Sequence, residues 1–290
     1  MHLCQFYQND NIHIGVLEGK KILDVTAMGL RDGMPVFATI DTLIASGDLS
    51  AFNKVLKTSP VYVTEESIKF APVVSNPQKI ICAALTHAAH IIKLGQALSD
   101  VPSIFSKFNN SLNGHNCEVE LLSIAKEYDY EAELVIVLGK RGKFIGEDKA
   151  SEYIFGYTCG NDLSVRDVQF PPLHKYPQYL LGKTFDGMCP IGPYLVTSDS
   201  IDPSNLTVKC KVNGEVRSSG STSELRFSCA KLVSYISQYI TLEQGDIIFA
   251  GTCAEGAIIE SPPEKRVWLK KGDVVEVEIE GIGILRNKMV

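Results

Sequence analysis

The sequence predicts a mostly β chain of α+β type, a rolled or sandwiched sheet body with a small mixed unit at its front. Three observations predict it. The stretches LTVKCKVNGEVRSSG (206–220), DIIFAGT (246–252) and VVEVEIEGIGILRNKMV (274–290) alternate or run apolar over strand lengths, with glycine turns between them. Helical signals are few in the body, the clearest being CAKLVSYISQYI (229–240) behind the cap residue Ser228. Many strands with few helices favour a sandwich or rolled barrel over a doubly wound parallel sheet.

From the front, HIGVLEGKKILDVT (13–26) reads as two short strands around a Gly-Lys turn. PVFATIDTLIASGDLSAFNKVLK (35–57) has a helical period broken at Ser46-Gly47-Asp48, which predicts two helices. VYVTEESIKFAPVVSNPQK (61–79) is extended, and Pro72 and Pro77 mark a boundary. The expected division is a small α+β unit over 1–72 and a β-rich body over 73–290. Within the body, Asn213-Gly214 between alternating residues is a strong hairpin signal. Ser228 opens a helix through about Ile240, and the chain closes as strand, glycine turn and strand.

Length and charge narrow the function classes. A chain of 290 residues can bury a large core. Its net charge of -6 and pI near 5.6, with no Lys/Arg run, argue against nucleic acid or an anionic membrane as partner. No stretch approaches the ~20 apolar residues that span a bilayer. The start, MHLCQFYQND, lacks the basic and apolar regions of a signal peptide, so a cytosolic protein is expected. The eight cysteines never fall as C-x-x-C and sit mostly in apolar runs, which predicts reduced, buried thiols.

The stretch YDYEAELVIVLGK (128–140) raises the functional question. Side chains alternate along a strand, so Glu131 and Glu133 point to one face, one pleat apart. Two carboxylates there repel, and one is hard to ionise unless a cation holds both. VEVEIE (275–280) is an internal control: Glu276, Glu278 and Glu280 alternate with Val and Ile, as a solvated face over a buried one does. Past Glu133, by contrast, LVIVLG is apolar at every position, the pattern of a strand covered on both faces. Carboxylates at the end of such a strand are rarely buried without a partner. Metal binding, a buried ion pair and an exposed strand end all stay open on these grounds.

More polar groups gather at expected strand ends. GYTCGNDLSVRDVQF (156–170) carries Asp162, Arg166, Asp167 and Gln169, and LLGKTFDGMCPIGP (180–193) carries Lys183 and Asp186. Two or three hard oxygen ligands without a nearby Cys/His pair suit Mg²⁺ or Mn²⁺ rather than Zn²⁺. Other templates fail. Gly182-Lys183-Thr184 is only the tail of a phosphate loop, because position 177 is Pro, and neither G-x-S-x-G nor a strand-following G-x-G-x-x-G occurs.

In order along the chain, YEAELVIVLGK, GYTCGNDLSVRDVQ, GKTFDGMCPIGP, VNGEVRSSGSTSELRFS, TLEQGDIIFAGT and LKKGDVVEVEIEGIGILRN resemble the fumarylacetoacetate hydrolase superfamily. The resemblance runs from about residue 80 to 290, and the first 70 residues resemble the small N-terminal domain of many bacterial members. It implies a β-rich roll, usually a homodimer, holding one Mg²⁺ or Mn²⁺. The implied metal carboxylates are Glu131, Glu133 and Asp162. Arg166, Gln169, Lys183 and Thr252 match positions that line the site and hold a 2-oxo acid, with Lys183 neutralising charge. His90, in LTHAAHIIKLG, matches a histidine that acts as base on a lid. The implied chemistry is hydrolytic C–C cleavage of an acylpyruvate-like substrate. Oxaloacetate decarboxylation and 2-oxo-acid isomerisation or hydration use the same enolate. A member that binds metal and ligand without catalysis is the rival reading.

The chain departs from that pattern at the lid. Thr86-His87-Ala88-Ala89 stands where the family has Asn-Tyr-Arg-Asp, and Lys93 stands where it often has a glutamate. A glutamate there would orient the histidine toward water; a charged lysine cannot. Gly251-Thr252-Cys253 replaces the usual Gly-Thr-Pro, and Glu255 is a candidate for the missing carboxylate. His87 reads either as a second site histidine or as a packing residue, and His115, in LNGHN, as an exposed loop histidine.

Overall fold

In the computed structural model, which describes residues 1–88, 99–252, 254–255 and 257–290, the apolar run after Glu133 is the strand Ala132–Leu138, buried at every residue. It pairs antiparallel with Ile154–Asn161 on one side and Ile247–Thr252 on the other. Its two faces serve two cores. Leu134, Ile136 and Leu138 pack with Val208, Val277 and Leu285, whereas Val135 and Val137 pack with Leu3, Leu43 and Phe52. A strand sandwiched in this way has no wet face, which is why its sequence does not alternate.

The described strands around it form a 12-stranded sheet. Ten of them run in the order Tyr62–Val63, Lys21–Asp24, Asn11–Glu18, His2–Gln8, Cys189–Thr197, Ile154–Asn161, Ala132–Leu138, Ile247–Thr252, Ile80–Ala84 and Ser103–Lys107, while Lys69–Ala71 pairs with His2–Gln8 and Leu112–Asn113 with Cys189–Thr197. Strands from the front of the chain thus extend the sheet of the body through the pairing of His2–Gln8 with Cys189–Thr197. A second, six-stranded sheet covers one face, in the order Ala254–Glu255, Glu215–Ser221, Thr207–Val212, Val274–Ile279, Gly283–Met289 and Glu118–Val119. The expected mostly β, α+β architecture is the one observed.

Local chemistry explains most of the smaller elements. The helices Ile40–Ser46 and Ser50–Val55 are separated at Gly47, whose φ of 66° ends the first. Asn213 and Gly214, at φ of 54° and 81°, turn Thr207–Val212 into Glu215–Ser221. Ser228 Oγ accepts from Lys231 N at 3.1 Å and caps Cys229–Ser237, a helix three residues shorter than its apolar period implied. Of the seven described cysteines six are buried, and all seven are free thiols. Among the described residues no helix is long and apolar enough to cross a membrane.

One expectation fails. His115 is buried, not exposed: its Nδ1 accepts from Arg286 N at 3.1 Å and its ring meets Phe70 edge-on. A histidine flanked by Gly and Asn looks like a loop tip in sequence, but here the segment folds back under the strand Gly283–Met289.

Candidate metal centre

The entry of the Ala132–Leu138 strand brings three carboxylates together. One oxygen from each of Glu131, Glu133 and Asp162 lies within 4.8 Å of the others. The backbone sets this geometry. Glu131 and Glu133 flank Ala132 and share a face, while Asp162 follows the neighbouring strand Ile154–Asn161, whose last residue pairs with Ala132. Asp162 N donates to Glu131 O at 3.0 Å, and Glu131 N donates to Asn161 Oδ1 at 3.1 Å, which locks the two strand ends together.

Three buried cations surround the triad. Lys183 Nζ donates to Glu131 Oε2 at 2.5 Å and to Asp162 Oδ2 at 2.7 Å. Arg166 donates from Nη2 to Glu131 Oε1, from Nε to Asp129 Oδ2 and from Nη1 to Gln169 Oε1, each within 2.8 Å. Lys107 Nζ donates to Asp162 Oδ1 at 2.7 Å and to Met188 O at 2.8 Å. Asp129 carboxylate oxygens also accept from Ile258 N and Ile259 N, so Arg166 is anchored from below. Gly182 matters here. A Cβ on it would sit 2.5 Å from Gln169 Cβ, so only glycine lets the short helix Tyr179–Lys183 lie against Arg166–Gln169 and bring Lys183 into the site.

The charge balance leaves one carboxylate in excess: Asp129, Glu131, Glu133 and Asp162 face Lys107, Arg166 and Lys183. Burial pushes Glu131 up, but Lys183 and Arg166 outweigh it and hold the carboxyl below the usual range. Burial disfavours charged Lys183, yet Asp162 and Glu131 keep it protonated. Glu133 takes the residual strain. Burial first, and then the Asp162 and Glu131 carboxylates, push it well above the usual range, against one hydrogen bond accepted by Oε2 from Gly251 N at 2.7 Å. Unbalanced hard oxygen donors are what a divalent cation would fit, and the donor set has the chemistry that Mg²⁺-class ions prefer.

The triad lies in the wall of a cavity of about 280 Å³. Arg166, Gln169, Lys183 and Thr252 line it too, so the three carboxylates and the four residues expected beside them meet in one place. Phe105 and Tyr179, stacked at 5.2 Å, supply an apolar wall, and Lys183 Nζ lies 5.5 Å from the Phe105 ring centroid. His90 and Lys93, as well as the Glu255 side chain, lie outside the described residues. His87 is buried with Nε2 3.3 Å from Glu224 Oε2, and it does not line the cavity. Asp167 and Asp186 stand apart from the triad, binding Lys126 N and Asn110 Nδ2 respectively. The sequence reading missed Asp129 and Lys107. Asp129 had a signal, an aspartate in the same alternating run as Glu131 and Glu133; Lys107, in SIFSK, had none.

A family model for the fumarylacetoacetate (FAA) hydrolase C-terminal region matches residues 79–290, the segment that holds all of these side chains. The chain belongs to the fumarylacetoacetate hydrolase family. A relative from Bos taurus named as a mitochondrial oxaloacetate tautomerase is 40% identical over 243 residues, covering 83% of this chain and 76% of that protein. A Xenopus laevis mitochondrial oxaloacetate tautomerase is 34% identical over 295 residues, covering all of this chain and 90% of its own. The solved fumarylacetoacetate hydrolase of Exiguobacterium antarcticum superposes with a TM-score of 0.84 at 31% identity, with 100% of this chain and 99% of that chain covered. Members of the fumarylacetoacetate hydrolase family therefore share this chain's architecture from end to end.

Proposed function

We propose that this chain is a divalent-metal-dependent enzyme that interconverts the keto and enol forms of a small 2-oxo acid of the oxaloacetate type. The observation that carries the reading is the unbalanced Glu131–Glu133–Asp162 triad, bridged by Lys183, in the wall of a substrate-sized cavity. Mg²⁺ or Mn²⁺ held by those three carboxylates would supply Lewis-acid stabilisation to a developing enolate oxygen. Lys183, held protonated, offers its positive charge to the substrate carboxylate. Arg166 is committed to Asp129 and Glu131, so it orients Glu131 and turns Gln169, whose Oε1 it engages, leaving the Gln169 amide N–H groups to donate.

Tautomerisation needs only a proton removed from C3 and a proton delivered to the C2 oxygen. His90 is the proposed base for the first transfer. No activated water is required, which suits a chain with Lys93 where the family often has a glutamate. Names of the matched relatives support the same branch. Hydrolysis of an acylpyruvate is the second reading, favoured by a solved maleylpyruvate hydrolase from Sphingobium sp. SYK-6, 25% identical with a TM-score of 0.79. We further take the working unit to be a homodimer and its compartment to be the cytosol.

The test is an exchange and cleavage assay on chelator-stripped protein with Mg²⁺, Mn²⁺ or neither. Metal-dependent exchange of the C3 hydrogens of oxaloacetate with deuterium, faster than the uncatalysed rate, is the expected result. Cleavage of acetylpyruvate without oxaloacetate exchange would move the function to the hydrolytic reading. Activity unchanged by metal removal would sink the proposal.

A further inference from the structure

Thr86, in the cavity wall, and Arg226, paired with it on the adjacent segment, each carry a buried polar atom that the reaction outlined above does not use. Among the described residues, neither Thr86 Oγ1 nor Arg226 Nη1 has a hydrogen-bond partner. Leaving a buried donor unpaired is costly, and more so for a charged guanidinium. The two residues are neighbours. His87 bridges antiparallel to Leu225, and Arg226 N donates to Thr86 O at 2.8 Å, so the register sets Thr86 opposite Arg226 on one face. Thr86 lines the cavity that holds the triad.

The backbone is shaped to hold the Thr86 hydroxyl there. Leu85, directly before it and also in the cavity wall, has a φ of 57°, a left-handed conformation that a branched residue keeps only where its surroundings impose it. Gly251 has a φ of 94°, and a Cβ on it would lie 1.8 Å from Thr86 Oγ1. The hydroxyl therefore lies against the same glycine whose N–H holds Glu133. Arg226 is four-fifths buried. Its guanidinium lies 5.5 Å from the Phe227 ring centroid, and the described carboxylate nearest to pairing with it, Asp100, is fully exposed at 3.9 Å from Nη2. Such an exposed, distant partner does little to balance the charge.

We infer that Thr86 and Arg226 form a subsite for the second carboxylate of a 2-oxo dicarboxylic acid, whose first carboxylate and 2-oxo group lie at the triad. Both groups donate, and a guanidinium with a hydroxyl is a suitable pair of donors for a carboxylate. This rests on the reading given under the proposed function and adds to it the residues that select a diacid over a monoacid.

The deciding pair of substrates is oxaloacetate and 2-oxobutyrate, which differ only by a carboxylate against a methyl group. The readout is kcat/KM for metal-dependent C3 hydrogen exchange. Arg226→Met should lower the oxaloacetate to 2-oxobutyrate preference about 10²-fold, through KM, and Arg226→Lys should recover part of it. Thr86→Val, which keeps the volume, should lower it about tenfold and covers the case of an Arg226→Met protein that does not fold. Equal losses on both substrates would make the pair structural, and an unchanged preference would remove it from recognition; either overturns the inference. Wild-type exchange on neither substrate, with metal supplied, would instead overturn the enzymatic reading and the subsite with it.

Discussion

Among the segments of this chain with glutamates separated by one residue, those around Glu131 and Glu276 do opposite things. In the strand Val274–Ile279, Val275, Val277 and Ile279 are buried while Glu276 and Glu278 stay half-buried at the surface. Glu278 accepts from Lys211 Nζ at 2.7 Å, a surface pair on the neighbouring strand. Around Ala132–Leu138 the same spacing puts Glu131 and Glu133 beside Asp162, inside a ring of Lys107, Arg166 and Lys183. The difference lies in what covers the strand. One sheet face open to water lets carboxylates be solvated one by one. A strand packed on both faces forces them to share cations.

The largest expected effect comes from removing one glutamate from each segment. Glu133→Ala should lower metal-dependent kcat/KM by ~10³-fold or more and abolish Mn²⁺ binding measured by calorimetry, since the loss of a Lewis acid is worth several powers of ten. Glu278→Ala should change activity less than about twofold and stability by under ~1 kcal/mol. Similar losses from the two variants would break the contrast between the segments.

Next come lysines that pair with a carboxylate in each setting, Lys107 with Asp162 and Lys211 with Glu278. Lys107→Met leaves Asp162 short of a buried partner and should cost ~3–5 kcal/mol in denaturant unfolding. Lys211→Met should stay within ~0.5 kcal/mol. A Lys107→Met protein as stable as the parent would mean that the buried cluster is held by packing alone.

A smaller effect separates the segments by pH. His115 supports the strand beside Glu276, and burial, followed by the nearby Arg286, lowers its pKa to about 4. The unfolded chain then binds a proton between pH ~6.5 and 4 that the folded chain refuses, so stability falls as pH drops through that window, by ~2–3 kcal/mol. Replacing His115 with Asn should flatten that slope in pH-dependent unfolding. An unaltered slope would assign the acid sensitivity to other groups.

Much of the site was legible in the sequence because strand chemistry is local. The shift from alternation in VEVEIE to the unbroken LVIVLG marked the covered strand, and strand periodicity put Glu131 and Glu133 on one face. Asp162, Arg166 and Lys183 stood out as polar groups at the ends of apolar runs. The choice between a metal site and a buried ion pair was not legible, and the structure explains why. Glu131 is ion-paired to Arg166 and Lys183, and it also belongs to a carboxylate cluster with negative charge to spare.

The sequence by itself determined the class of fold, the hairpin at Asn213-Gly214, the split helices at Gly47 and the carboxylates at the strand mouth, because each rests on contacts within a few residues. Only the tertiary structure decided the rest. Lys107 reaches Asp162 across 55 positions, Asp129 takes Ile258 N across 129, and His115 is buried beneath a strand 171 positions away. Thr86 meets Arg226 through a single bridge between distant segments. Partners of that kind follow from how sheets stack and which ends converge, and no local propensity carries that information.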